Sequence, residues 1–107
     1  MTFDQQLDEV KFNKNIDKYK EAFKEAFKEA FQSQPLKFEI SDSEIELEFK
    51  DDQKNVVFVR ITKELSDAEA NKLNTDFNDD LFINKFKEVT DELDPSYNLV
   101  SVSKPSK

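Results

Sequence analysis

The chain contains no cysteine, histidine, glycine or tryptophan among its 107 residues, and its one arginine is Arg60. Each absence removes a class of structure or chemistry. Without Cys there is neither a disulfide scaffold nor a thiolate metal site, and nothing ties the chain to an oxidising compartment. Without His, Cys or Gly there is no imidazole base, thiol nucleophile, phosphate-cradling loop or dinucleotide fingerprint. Carboxylates remain, but Glu44, Glu46 and Glu48 fall on an open sheet face rather than in a cleft that would push two pKa values apart. The expectation is a protein that is not an enzyme and uses no cofactor or metal. Missing glycine also leaves positive-φ turns to Asn and Asp, which excludes two-residue glycine hairpins and favours longer loops.

Long apolar runs are missing too. The longest, residues 56–59, is far short of the roughly 20 residues a membrane-spanning helix needs, and residues 1–6 lack a basic-then-apolar signal. A cytoplasmic protein that does not touch membrane is expected. Positive charge is in the minority: 24 acids against 16 bases give a formal charge of −8. Nucleic acids and anionic membranes both require basic footprints, so neither is an expected partner. A basic protein, by contrast, would be drawn to this chain by long-range steering.

What the chain does have is phenylalanine, 11 in all. Leu, Ile, Val and Phe together exceed the roughly 20% below which a highly charged chain stays disordered. One domain over residues 1–103 is expected, with 104–107 as a frayed tail. The abundance of Lys, Asn, Phe and Ile, with no Gly, resembles the coding bias of an AT-rich genome such as that of a low-GC bacterium or its phages.

The strongest periodic signal is residues 19–31, where Lys-Glu-Ala-Phe is repeated three times after Tyr19. Phe23, Phe27 and Phe31 recur at i, i+4 and i+8 beside Ala22, Ala26 and Ala30, forming one apolar stripe of a helix. Phe12, Ile16 and Tyr19 extend it backwards. Such a strict i+4 row drifts by roughly 40° per step, unlike a coiled-coil seam, so it is expected to cover a sheet. Asn15 is the expected N-cap of a helix over 16–33 that ends before Pro35. Phe3, Leu7 and Val10 also have helical spacing, as a separate first helix or as the start of one long helix.

After Pro35 the period becomes 2. Leu36, Phe38 and Ile40, then Ile45, Leu47 and Phe49, alternate with polar residues and predict two paired strands joined by a loop over 41–44. A polar loop over 51–55 leads to a third strand over 56–62. If Val57, Val59 and Ile61 face the core, Val59 meets Leu47 and Arg60 lies opposite Glu46. Ser66 and Glu69 read as a capping box opening a helix with Ala70, Leu73 and Phe77. Residues 78–80 mark a bend, Phe82, Phe86, Val89 and Leu93 form one stripe of a further helix, and 97–103 reads as a short last strand. The fold expected is α+β: an antiparallel three- to four-stranded meander sheet with helices on one face, in the order α-β-β-β-α-α-β. The row Phe23, Phe27 and Phe31 is expected on Phe38, Leu47 and Val59.

Asp76, Asn78 and Asp80 match the opening of a calcium loop, but Leu81 stands where Gly is required and Lys87 where the bidentate Glu belongs. They are read as part of the bend. The most polarised stretch is 39–52, with seven acids and one Lys. Alternation places Glu39, Glu44, Glu46 and Glu48 on one face, with Asp51 and Asp52 at its end. Solvated sheet faces commonly look like this. Here, however, Val56 and Phe58 fall among the carboxylates, and an apolar spot rimmed by acids suits contact with a basic protein. The candidate partner-binding residues are therefore Glu39, Glu44, Glu46, Glu48, Asp51, Asp52 and Phe58. In size and charge the chain is similar to small acidic inhibitors such as phage-encoded DNA mimics and toxin-immunity proteins. The expected role is to mask the basic, nucleic-acid-binding surface of a partner protein, as a monomer or a homodimer. A self-associating structural or chaperone-like protein, with Phe3, Leu7 and Val10 packed on a second copy, is the alternative.

Overall fold

A computed structural model of the chain describes residues 1–31, 40–50, 52–93 and 98–102, apart from the side chain of Lys50. Its elements are β1 (Thr2–Phe3), α1 (Glu9–Lys14), α2 (Ile16–Ala30), a single 3-10 turn (Asp42–Glu44), β2 (Ile45–Lys50), β3 (Gln53–Ile61), α3 (Asp67–Thr75), α4 (Asp79–Thr90) and β4 (Leu99–Ser101). The sheet is antiparallel with strand order β2-β3-β1-β4. The fold is thus α+β, as the sequence predicts. None of the helices among the described residues is long and apolar enough to cross a membrane.

The repeat of α2 builds the core. Its three Ala and three Phe of the repeat are all buried, Ala22 and Ala26 completely. The small residues let α4 approach closely, and the rings then interlock across the two helices. Phe23 meets Phe82 edge-on at 5.5 Å, and Tyr19 stacks on Phe86 at 6.4 Å. Phe31 meets Phe77, in the α3–α4 connection, at 5.8 Å. The Phe row was expected mainly on the sheet. Leu47 and Val59 do pack against this core, but the ring partners of the row come from α4 and its approach, while Phe38 lies outside the described residues. Phe82 and Phe86 are therefore the rings that α4 presents to α2, while Tyr19 also reaches Phe49 of β2 through Phe12.

Helix ends differ from expectation by local chemistry. Asn15 does precede α2, but its side chain makes no cap; its Nδ2 donates back to the Lys11 carbonyl at 3.2 Å, closing α1 instead. At the other end α2 stops at Ala30 rather than near Ser33. The Ala30 carbonyl accepts the Asn78 N–H at 3.0 Å, and Phe31 turns fully inward. The Ser66–Glu69 capping box forms as predicted, and Asn78 caps α4 by accepting the Leu81 N–H at 3.1 Å.

The largest correction concerns the amino terminus. Phe3 is not helical: it belongs to β1, which lies between β3 and β4, so the sheet is not a simple meander. Its helical spacing to Leu7 is coincidental. Phe3 is buried beneath Phe86 at 5.9 Å, Leu7 is buried in the segment before α1 with its N–H on the Lys54 carbonyl, and Val10 on α1 faces solvent. Asp8 caps α1 through the N–H groups of Val10 and Lys11, which is why the helix begins only at Glu9.

Register between β2 and β3 matches the sequence reading, with Leu47 opposite Val59 and Glu46 opposite Arg60. The connection is shorter than the loop over 51–55 that the lack of glycine suggested, since Lys50 already pairs with Gln53. A register shift next to Phe49 absorbs the difference, leaving Lys54, Asn55 and Val56 of β3 without a partner on β2. The bulge is used: Lys54 pairs with Glu9 at 3.3 Å and sits over the Phe49 ring, and Asn55 donates to the Phe3 carbonyl. The expected strand over 36–40 falls outside the described residues except for Ile40, which is not in a strand.

Candidate functional site

Strand alternation gives the sheet two unlike faces. Ile45 and Val57 face the helices and are buried. The pairs Glu46–Arg60 and Glu48–Phe58 must then face away, and Phe58 is 56% exposed. Thr2 pairs with Val56, which precedes buried Val57, so both belong to the outer face. On β4, Leu99 is buried opposite Phe3 and Ser101 lies opposite Thr2 on the outer face, and a register shift between the two pairs leaves Val100, 51% exposed, as the extra residue beside Ser101. Phe58, Val56, Thr2 and Val100 thus make a largely apolar strip across β3, β1 and β4. Glu46 and Glu48 run beside it on β2.

This arrangement keeps part of the predicted site. Glu46, Glu48 and Phe58 come together on one face, and Asp52 is exposed in the turn after β2. Glu39 and Asp51 lie outside the described residues. Glu44 does not continue the row, because β2 begins only at Ile45 and Glu44 closes the 3-10 turn. Its carboxylate accepts from the Ser41 N–H and Oγ, both at 3.0 Å, and lies 3.7 Å from the Lys63 ammonium. These bonds, led by the Ser41 backbone N–H, hold its pKa below the usual carboxylate value. A group depressed on folding stabilises above its unfolded pKa, about 4.3 for Glu, and loses that effect as pH falls through the lower folded value. Glu44→Gln should therefore be less stable than the parent at pH 7, and the difference should vanish in acid. Urea melts of the two proteins at each pH check this.

The sequence reading missed Thr2 and Val100. Alternation could not have found them, because a register shift between the pairs Phe3–Leu99 and Thr2–Ser101 breaks it, and β4 had no neighbour while residues 3–12 were assigned to a helix.

Three other features bear on function. A cavity of about 690 Å³ lies beside β3, walled by Phe23, Phe27, Leu73 and Phe82 of the core and also by Thr2, Val56 and Phe58 of the strip. Among the described residues its wall carries Arg60 and Lys63 but no carboxylate, so it holds no acid–base pair. Asp76 ends α3 and Asn78 caps α4, as the bend reading requires. Among the described residues no group of three or more Asp or Glu is placed to hold a metal ion. Finally, Phe3 and Leu7 are consumed by the chain's own core, leaving Val10 alone exposed of the three residues needed for helical self-association.

In comparisons with known proteins, no family model, no curated protein and no solved structure matches the chain.

Proposed function

We propose that the chain is a small, non-enzymatic, acidic binding module, an inhibitor that covers the basic, nucleic-acid-binding surface of another protein in the manner of DNA mimics and immunity proteins. The observation that carries this reading is Phe58, a large ring more than half exposed on the outer sheet face, directly opposite Glu48. Exposed aromatics flanked by charge are the residues from which interface anchors are made. Glu46 and Glu48 are about 6.7 Å apart along one strand and are fixed by pairing with β3, so little entropy is lost when they meet a cation. The charge of −8 adds steering toward a basic partner. Arg60, opposite Glu46, dilutes the acidic row, so Phe58 rather than a phosphate-like ladder supplies the centre of the contact.

Affinity capture from a low-GC bacterial lysate tests this, with the Glu46→Lys, Glu48→Lys double variant as control. Both residues are exposed, so the variant should fold. The parent should retain a basic protein that the variant loses. Raising salt from about 0.05 to 0.5 M, which shrinks the Debye length from above 10 Å to a few ångströms, should slow its association steeply. Identical captured sets, or a set without a basic protein, would overturn the proposal.

A further inference from the structure

We infer that the occupant of the outer sheet face is a single amphipathic helix of the partner, whose apolar stripe lies diagonally on Phe58, Val56, Thr2 and Val100 and whose Lys/Arg flank faces Glu46 and Glu48. The inference rests on the proposed function and specifies the kind of surface that the partner presents.

Three observations lead to it. The first is that a sheet face offers side chains only, because the backbone N–H and C=O groups of its inner strands are directed at neighbouring strands. Val57 illustrates this, its N–H on the Met1 carbonyl and its carbonyl on the Met1 nitrogen, both at 2.8 Å. An extended peptide laid on such a face would leave its own backbone groups without partners, whereas a helix satisfies them internally. The second is the shape of the apolar surface, which is a narrow strip rather than a broad face. A second sheet would need a whole apolar face to cover, while one helical stripe matches one strip.

The third observation is the dimension and charge of the strip. From Phe58 on β3 to Val100 on β4 is two strand spacings across and about two residues along, on the order of 12 Å, close to the roughly 11 Å between residues two turns apart on a helix. Phe58 and Val100, the two ends, are the two most exposed large apolar residues of the sheet. One side of the strip is bounded by Glu46 and Glu48, both exposed, of which Glu46 faces the exposed Arg60 and Glu48 faces Phe58 with no cation opposite it. A helix seated along it would therefore have one flank over carboxylates, which selects Lys and Arg there.

Val100 separates this inference from the reading on which it rests. A purely electrostatic contact centred on Glu46, Glu48 and Phe58 has no use for Val100, which lies two strands away. A helix two turns long does. The test uses the full chain and a synthetic amphipathic peptide of about 14 residues built only of Leu and Lys at helical spacing, roughly 21 Å long when helical. Three controls have the same composition in strand-like alternation, the same composition in scrambled order, and Glu in place of Lys. Amide chemical-shift mapping locates each peptide, and circular dichroism reports its helicity.

The helical Leu/Lys peptide should become helical on binding and shift Phe58, Val100, Glu46 and Glu48, with the three controls at least about tenfold weaker. Val100→Ser, which removes the apolar contact without adding charge, should weaken it by about fivefold or more, while the variant's own melting stays close to the parent's because Val100 is half exposed. Binding of the alternating peptide with equal affinity, shifts centred on the cavity wall at Ile61 and Leu73, or no effect of Val100→Ser would each overturn the helix. If the basic partner captured above is lost by the Glu46→Lys, Glu48→Lys variant but kept by Val100→Ser, the acidic-face reading stands and the helix fails. If neither variant loses it, both fail.

Discussion

Replacing Phe82 with Ala is expected to destabilise the protein by about 3–5 kcal/mol, the range for truncating a buried Phe that its surroundings cannot collapse around. Phe82 is fully buried and meets three other rings: Phe23 at 5.5 Å, Phe77 at 5.6 Å and Phe86 at 6.1 Å. These belong to α2, to the α3–α4 connection and to α4 itself, so one cavity would loosen the contact on which the helical layer depends. Domains of this size have about 5–15 kcal/mol in total, and the variant should lose more than about 10 °C in Tm or fail to fold at 37 °C. Urea melts with far-UV circular dichroism check it. A variant within about 1 kcal/mol of the parent would mean that α2 and α4 are not joined through these rings.

Much of this core was legible in the residues themselves. The repeat of α2, the stripe of α4, the Ser66–Glu69 capping box and the β2–β3 register each follow from one dominant local rule, whether helical period, cap chemistry or strand alternation. What was not legible depended on long-range pairing. Phe3 and Leu7 satisfy a helical period, yet Phe3 is a strand residue because β3 offers hydrogen bonds to Met1 and β4 pairs on its other side. A two-residue strand has no alternation of its own to read. Likewise Ala30 ends α2 because Asn78, far along the chain, donates to its carbonyl, and no rule confined to residues 16–35 supplies that bond.

The site divides in the same way. Glu46, Glu48 and Phe58 were readable because they lie within one hairpin whose register is fixed by facing apolar residues. Glu44 looked like the next member of the row, but a capping box with Ser41 is locally available to it and turns it away. Thr2 and Val100 become part of the face only through the inserted strand β1. The outer face therefore reads as acidic in the sequence and as apolar with an acidic side in the fold. That change moves the weight of the account from the carboxylates to Phe58.

Phe58→Ala is the second change with a large expected effect, on binding rather than on folding. Its ring is 56% exposed, so truncation should alter stability by less than about 1 kcal/mol. A central aromatic anchor, by contrast, typically costs 2 kcal/mol or more when truncated, about a 30-fold loss of affinity. The most direct measurement is thus the dissociation constant of the captured basic partner for the parent and for Phe58→Ala, taken beside urea melts of both. A Kd raised about 30-fold or more, with the melts nearly superimposed, is the result expected. An unchanged Kd with unchanged melts would contradict the account, because it would leave the exposed ring at the centre of the outer face with no part in binding.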